Sequence, residues 1–127
     1  KALPSGRIVL TDSSGAKGVD WRADIQRVAR EEMGSQPLLG GPVRLIADFI
    51  EVRPKKHFRA NGALRADAPL YPSTTRTPDA TKLVRALEDA LTGIVWIDDK
   101  QVVCQSVTKV YGETPGAHVV IKAMGGI

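Results

Sequence analysis

Apolar residues recur along this chain with two different periods, and the switches between them divide it into elements. In 20–33, Trp21, Ile25, Val28, Ala29 and Met33 return every three or four residues, the spacing that lines side chains on one face of an α-helix. Asp20 stands where an N-cap belongs and Gly34 where a helix chain-reverses out. A second stripe, Ala80, Leu83, Val84, Leu87 and Leu91, occupies 79–92 between Pro78-Asp79 and Gly93, and predicts a second amphipathic helix. GRIVL at 6–10, VRLIADFIEV at 43–52, DKQVVCQSVTKVYG at 99–112 and AHVVIKAM at 117–124 are rich in β-branched residues and bounded by turn residues, which predicts strands. The order β, α, β, long loop, α, β, β implies an α+β domain, a mixed β-sheet with two main helices packed on it.

One stretch fits neither period. IVWIDDKQVV at 94–103 places Asp98 and Asp99 side by side among apolar residues, where a half-buried strand would alternate its charges with its apolar side chains. Asp-Asp-Lys is a good turn between two extended segments. A divalent cation would equally convert the repulsion of two carboxylates into shared coordination. Periodicity alone leaves both open.

Size and charge narrow the picture. A chain of 127 residues is expected to form one domain, 1–127. Lys1 stands first with no methionine before it, so the N-terminal edge is expected to be incomplete. No apolar run approaches the ~20 residues of a membrane span. The single cysteine, Cys104, excludes an internal disulfide and a Cys-based zinc site, and suits a reducing cytoplasm. The net charge of +4 is modest, but it is concentrated. Between 53 and 82 there are seven basic residues (Arg53, Lys55, Lys56, Arg59, Arg65, Arg76, Lys82) against Asp67 and Asp79. Most of them fall on 53–78, a Pro-rich segment with no sustained period that reads as a long, mobile loop suited to a polyanion. His57 reads as a solvated residue of that loop.

The carboxylates gather around the second helix. Asp79 heads it, Glu88 and Asp89 lie within it, and Asp98 and Asp99 follow soon after. Thr81, Arg85 and Glu88 are spaced by four and three and so share one stripe beside the apolar face. Clustered oxygen donors are what Mg²⁺ requires, with water and phosphate completing its octahedron. Each residue also has a purely structural use: Asp79 as N-cap, the Asp98-Asp99 pair as a turn, Glu88 as the i,i+3 partner of Arg85.

PDATKLVRALEDALTGIVWIDDKQVV at 78–103 resembles, without a gap, the signature of the RusA-like Holliday-junction resolvases, approximately P-D-x-D-N-L-x-K-x-x-x-D-A-L-N-G-x-x-x-x-D-D-x-Q-V. Weaker similarity covers QPLLGGPVRLIADFIEVRPKK at 36–56. The resemblance implies a RusA-like fold, a homodimer, no membrane association, and a bacterial or phage-encoded protein in a bacterial cytoplasm. It implies Mg²⁺-dependent hydrolysis of branched DNA such as four-way junctions, with Mn²⁺ as a substitute cation. By position Asp79 matches the first family aspartate and Asp99 a member of the late pair, with Asp98 beside it. Arg85 replaces the family lysine, Thr81 the second aspartate, and Lys82 the asparagine. A hydroxyl binds Mg²⁺ more weakly than a carboxylate, so Glu88, on the stripe of Thr81, is either the replacement ligand or the partner of Arg85. The implied catalytic set is therefore Asp79, Asp98, Asp99 and Arg85, and the metal set Asp79, Asp98, Asp99 and Glu88. Lys55, Lys56, Arg59, Arg65, Arg76 and Lys82 would meet the DNA backbone, with Phe58 as a wedge at a strand junction. Loss of the second aspartate also admits an alternative, a protein that binds branched DNA and cleaves it weakly or not at all.

Overall fold

Alternation in the strands builds the sheet. The structure is a computed structural model that describes residues 6–12, 21–73 and 78–125. Its main elements are β1 (Arg7–Asp12), α1 (Trp21–Met33), β2 (Val43–Glu51), α2 (Ala80–Leu91), β3 (Val102–Tyr111) and β4 (Gly116–Ala123). The strands lie in the order β1-β4-β2-β3. β4 runs antiparallel to both neighbours and β3 parallel to β2, giving the expected mixed α+β sheet with two helices. Asp20 and Arg76 lie outside the described residues, so the cap proposed for α1 and one proposed DNA contact do too.

Ile8, Leu10, Val43, Leu45, Ala47, Phe49, Ala117, Val119 and Ile121 occupy alternate positions and are all buried. They meet Ile25, Ala29 and Met33 of α1 and Leu83, Leu87, Ala90 and Leu91 of α2 in one core. Each large apolar side chain fully buried there contributes roughly 1.5–3 kcal/mol. The helices also touch each other through polar groups: Gln26 Nε2 donates to the Ala90 carbonyl at 3.2 Å, and Arg22 lies 3.8 Å from Asp89. The other parity of the same strands puts Val9, Ile46, Ile50, Val110 and Val120 on the opposite face, all half-buried. No helix among the described residues is long and apolar enough to cross a membrane.

Two connections depart from what the pattern suggests. A short turn between consecutive strands usually closes a hairpin, yet β3 and β4 stand on either side of β2. The linking chain therefore passes the end of β2, where Gly112 N donates to the Glu51 carbonyl at 2.9 Å. A Cβ at Gly112 would come within 2.7 Å of Ile50 Cγ2, so any side chain here would have to push Ile50 aside. The apolar run 94–96 is likewise a turn. Gly93, at φ +88°, ends α2, Val95 N returns to the Leu91 carbonyl at 2.9 Å, and Trp96 Nε1 donates to Thr92 Oγ1 at 3.0 Å. Val95 and Trp96 are fully buried. A 3-10 turn over Asp99–Gln101 follows, so β3 begins at Val102 and not at 99.

The 53–73 segment is more ordered than its composition suggests. A 3-10 turn spans Lys55–His57, Phe58 and Leu64 form an isolated bridge, and Arg65 N donates to the His57 carbonyl at 2.9 Å. Arg53 ties the segment to the sheet. Its guanidinium donates to the Pro69 carbonyl at 2.8 Å, lies 3.3 Å from His57 Nδ1 and sits over the Tyr111 ring. His57, expected in solvent, is buried edge-on against Tyr111.

Candidate active site

α2 turns its polar stripe toward the start of β3, and the 3-10 turn before β3 closes the end of the gap. The resulting cleft, of about 310 Å³, is lined by Thr81, Val84, Arg85, Glu88, Asp99, Val102 and Gln105. The helical spacing of 81, 85 and 88 supplies one wall. Gln105, paired in register with the core residue Leu45, points to the helix side of the sheet and supplies the other. Gln105 Nε2 donates a hydrogen bond to Glu88 Oε2. Glu88 therefore bonds to the strand, while the charge of Arg85 also acts on it.

Burial raises the Glu88 carboxyl above its ordinary pKa. The Gln105 bond pulls it back, the negative charges of Asp99 and Asp89 push it further up, and Arg85 opposes them. The net effect is a carboxylate short of solvation and facing a second carboxylate across a polar cleft.

The other two expected carboxylates are used by the backbone. Asp79 caps α2, Oδ1 accepting from Lys82 N at 2.9 Å. Asp98 caps the 3-10 turn, Oδ1 accepting from Lys100 N at 2.9 Å, in a capping box with Gln101. Gln101 does more than cap. Its Oε1 accepts from Ile97 N and Asp98 N, both at 2.9 Å, and its Nε2 donates to the Leu39 and Gly41 carbonyls at 2.8 and 2.9 Å. This amide fixes the turn from which Asp99 reaches the cleft.

Thus Glu88, Asp99, Arg85 and Thr81 are brought together, while Asp79 and Asp98 are not gathered with them. Among the described residues no three His, Cys, Asp or Glu side chains form a group able to hold a metal ion. Glu88 and Asp99 still offer two carboxylates, the number a hard cation takes when water and phosphate complete its shell. A cation would also relieve the carboxylate repulsion that adds to the effect of burial on Glu88.

Lys55, Lys56 and Arg59 project from the 53–73 segment and Lys82 from α2, all exposed. Arg65 is exposed too and lies 3.3 Å from Asp67. Gln101 stands at the Gln of the family motif without a role assigned by sequence, and Gln105 lies outside the motif. The only signal for Gln105 is a polar residue on the helix-facing side of a strand, and it becomes readable only once α2 is known to lie beside β3.

The family profile described as Endodeoxyribonuclease RusA matches residues 4–122. The chain is also 27% identical over 122 residues to "Uncharacterized protein YqaN" of Bacillus subtilis (strain 168), covering 95% of this chain and 83% of that protein.

Proposed function

Because this chain belongs to the endodeoxyribonuclease RusA family, we propose that it cleaves branched DNA, Holliday junctions foremost, by divalent-metal-dependent phosphodiester hydrolysis in the cleft between α2 and β3. The observation that carries this reading is the convergence of Glu88, Asp99 and Arg85 on one polar cleft, Asp99 and Arg85 standing at sites of the family motif. Glu88 and Asp99 would hold Mg²⁺ or Mn²⁺. Asp79, whose Oδ1 serves the cap, heads the same helix and stands apart from that pair. A cation held there would supply an activated water and charge neutralisation at the scissile phosphate.

The remaining work falls to protein side chains. Arg85 presents a planar, permanently charged fork to the phosphate oxygens, and it orients phosphate without serving as a proton acceptor. Asp98 holds the turn that aims Asp99. Exposed Lys55, Lys56, Arg59, Arg65 and Lys82 bind the DNA backbone, which gives affinity without base choice. Arg76, outside the described residues, would join them by its sequence position, and Phe58, partly exposed, would wedge into a branch point. The sheet face away from the helices, where Val9, Ile46, Ile50, Val110 and Val120 lie half-buried among Arg44, Asp48, Thr108 and His118, would be the seam of a twofold homodimer that presents two clefts to the two symmetric strands of a junction.

The use of Asp79 and Asp98 as caps supports a second reading, binding of branched DNA without cleavage. Incubation of a four-way junction and a linear duplex of matched sequence with the protein in Mg²⁺ separates the two. Cleavage of the junction alone supports a resolvase, binding without nicks supports the second reading, and equal cutting of both DNAs removes the claim of branch selectivity.

A further inference from the structure

We infer that Gln105 is a positioning residue for the metal-binding carboxylate Glu88, a role that rests on the proposed use of the α2–β3 cleft. Glu88 stands where the family motif has no carboxylate, about two turns along α2 from Thr81, so nothing in the motif provides for its orientation. A glutamate on an open helix face samples several rotamers, and fixing it costs side-chain entropy. Here that orientation comes from the neighbouring edge strand. Gln105 donates Nε2 to Oε2 of Glu88, and both residues line the cleft that Asp99 faces.

Three features make this bond a device for a site and not a routine surface contact. Gln105 is on the helix-facing parity of β3, paired with Leu45, so backbone register sets its direction. β3 is an edge strand, leaving the cleft open to a DNA phosphate. Finally, an amide donor satisfies one carboxylate oxygen without neutralising its charge. A Lys or Arg at 105 would instead compete with a cation for the same negative charge. Gln105 thus orients Glu88 without adding a competing positive charge to the cleft.

The test measures binding of Mn²⁺ alone to the full chain by paramagnetic resonance, beside junction cleavage, for the unaltered protein, Gln105→Leu, Gln105→Asn and Glu88→Gln. Groups that orient a metal ligand typically cost 10- to 100-fold in metal affinity or activity when removed. Gln105→Leu is expected to weaken Mn²⁺ binding by about tenfold or more and to lower kcat at limiting Mn²⁺. KM for the junction should be unchanged, and the rate should recover at high Mn²⁺. Gln105→Asn keeps the amide but is one methylene short of Glu88, so it should behave like Gln105→Leu. A purely structural tie would lower thermal stability in Gln105→Leu while leaving Mn²⁺ affinity untouched, and that outcome overturns the inference. So does full Mn²⁺ affinity in Gln105→Asn. If the unaltered protein binds no Mn²⁺, the metal reading of the cleft falls together with the role of Gln105. Loss of affinity in Glu88→Gln but not in the Gln105 variants would remove the role of Gln105 alone.

Discussion

Asp98 and Asp99 are adjacent in the chain but face different tasks: Asp98 Oδ1 accepts from Lys100 N at 2.9 Å, while Asp99 lines the cleft opposite Glu88. One carboxylate holds the turn and the other is left to the site. Asp98→Ala should therefore cost about 1 kcal/mol of stability, the usual value of a missing cap. Asp99→Asn should leave the unfolding midpoint nearly unchanged and abolish cleavage. Urea unfolding and junction cleavage on the two variants check this division.

Glu88 gives the fold a pH dependence of definite sign. Burial raises its folded pKa above the unfolded value, so folding takes up a proton. The stability linked to this group is fully present below the unfolded pKa and is lost as pH rises through the raised folded pKa. Without divalent cations, Glu88→Gln should melt above the unaltered protein at neutral pH, and the difference should shrink toward acid pH. Mg²⁺ should raise the melting point of the unaltered protein and leave that of Glu88→Gln little changed. Scanning calorimetry across pH, with and without chelator, tests both statements.

Gln101→Ala removes four side-chain hydrogen bonds to the backbone. At roughly 1 kcal/mol for each net hydrogen bond, the expected loss is about 2–4 kcal/mol. Because the same amide fixes the turn that carries Asp99, cleavage should fall even at temperatures where the variant is folded. Denaturant unfolding together with single-turnover cleavage would reveal the double effect.

The basic residues of 53–73 should divide by direction. Lys55, Lys56 and Arg59 are exposed, and replacing each with Ala should weaken junction binding. Its salt dependence should flatten by about 0.9 in the log–log slope for each DNA phosphate that the side chain no longer neutralises. Arg53 is turned inward onto Pro69, His57 and Tyr111. Arg53→Ala should lower stability, because the segment loses its anchor to the sheet. Binding titrations at several salt concentrations, paired with thermal melts, distinguish the two kinds of arginine and lysine.

The helices were legible in the sequence because a 3.6-residue stripe and its stops, such as Asp79 and Gly93, are local properties. The strands were legible too, except where burial on all sides erased the period: Val95 and Trp96 form a fully buried turn that reads like a strand. The placement of β2 between β3 and β4 was not legible, since a short link such as 112–115 usually closes a hairpin. Of the site, the helical stripe of Thr81, Arg85 and Glu88 could be seen, and so could Asp99. The Glu88–Gln105 bond could not, because it joins residues whose elements become neighbours only through the tertiary fold. His57 was read as solvated because its burial depends on Arg53 and Tyr111, one of them far along the chain.

The most direct measurement is cleavage of a fixed four-way junction in Mg²⁺ by the unaltered protein and Asp99→Asn side by side, with matched linear duplex as control. The account predicts paired nicks near the branch point by the unaltered protein, none with chelator or Asp99→Asn, and no cutting of the duplex. Equal cleavage by Asp99→Asn would contradict it.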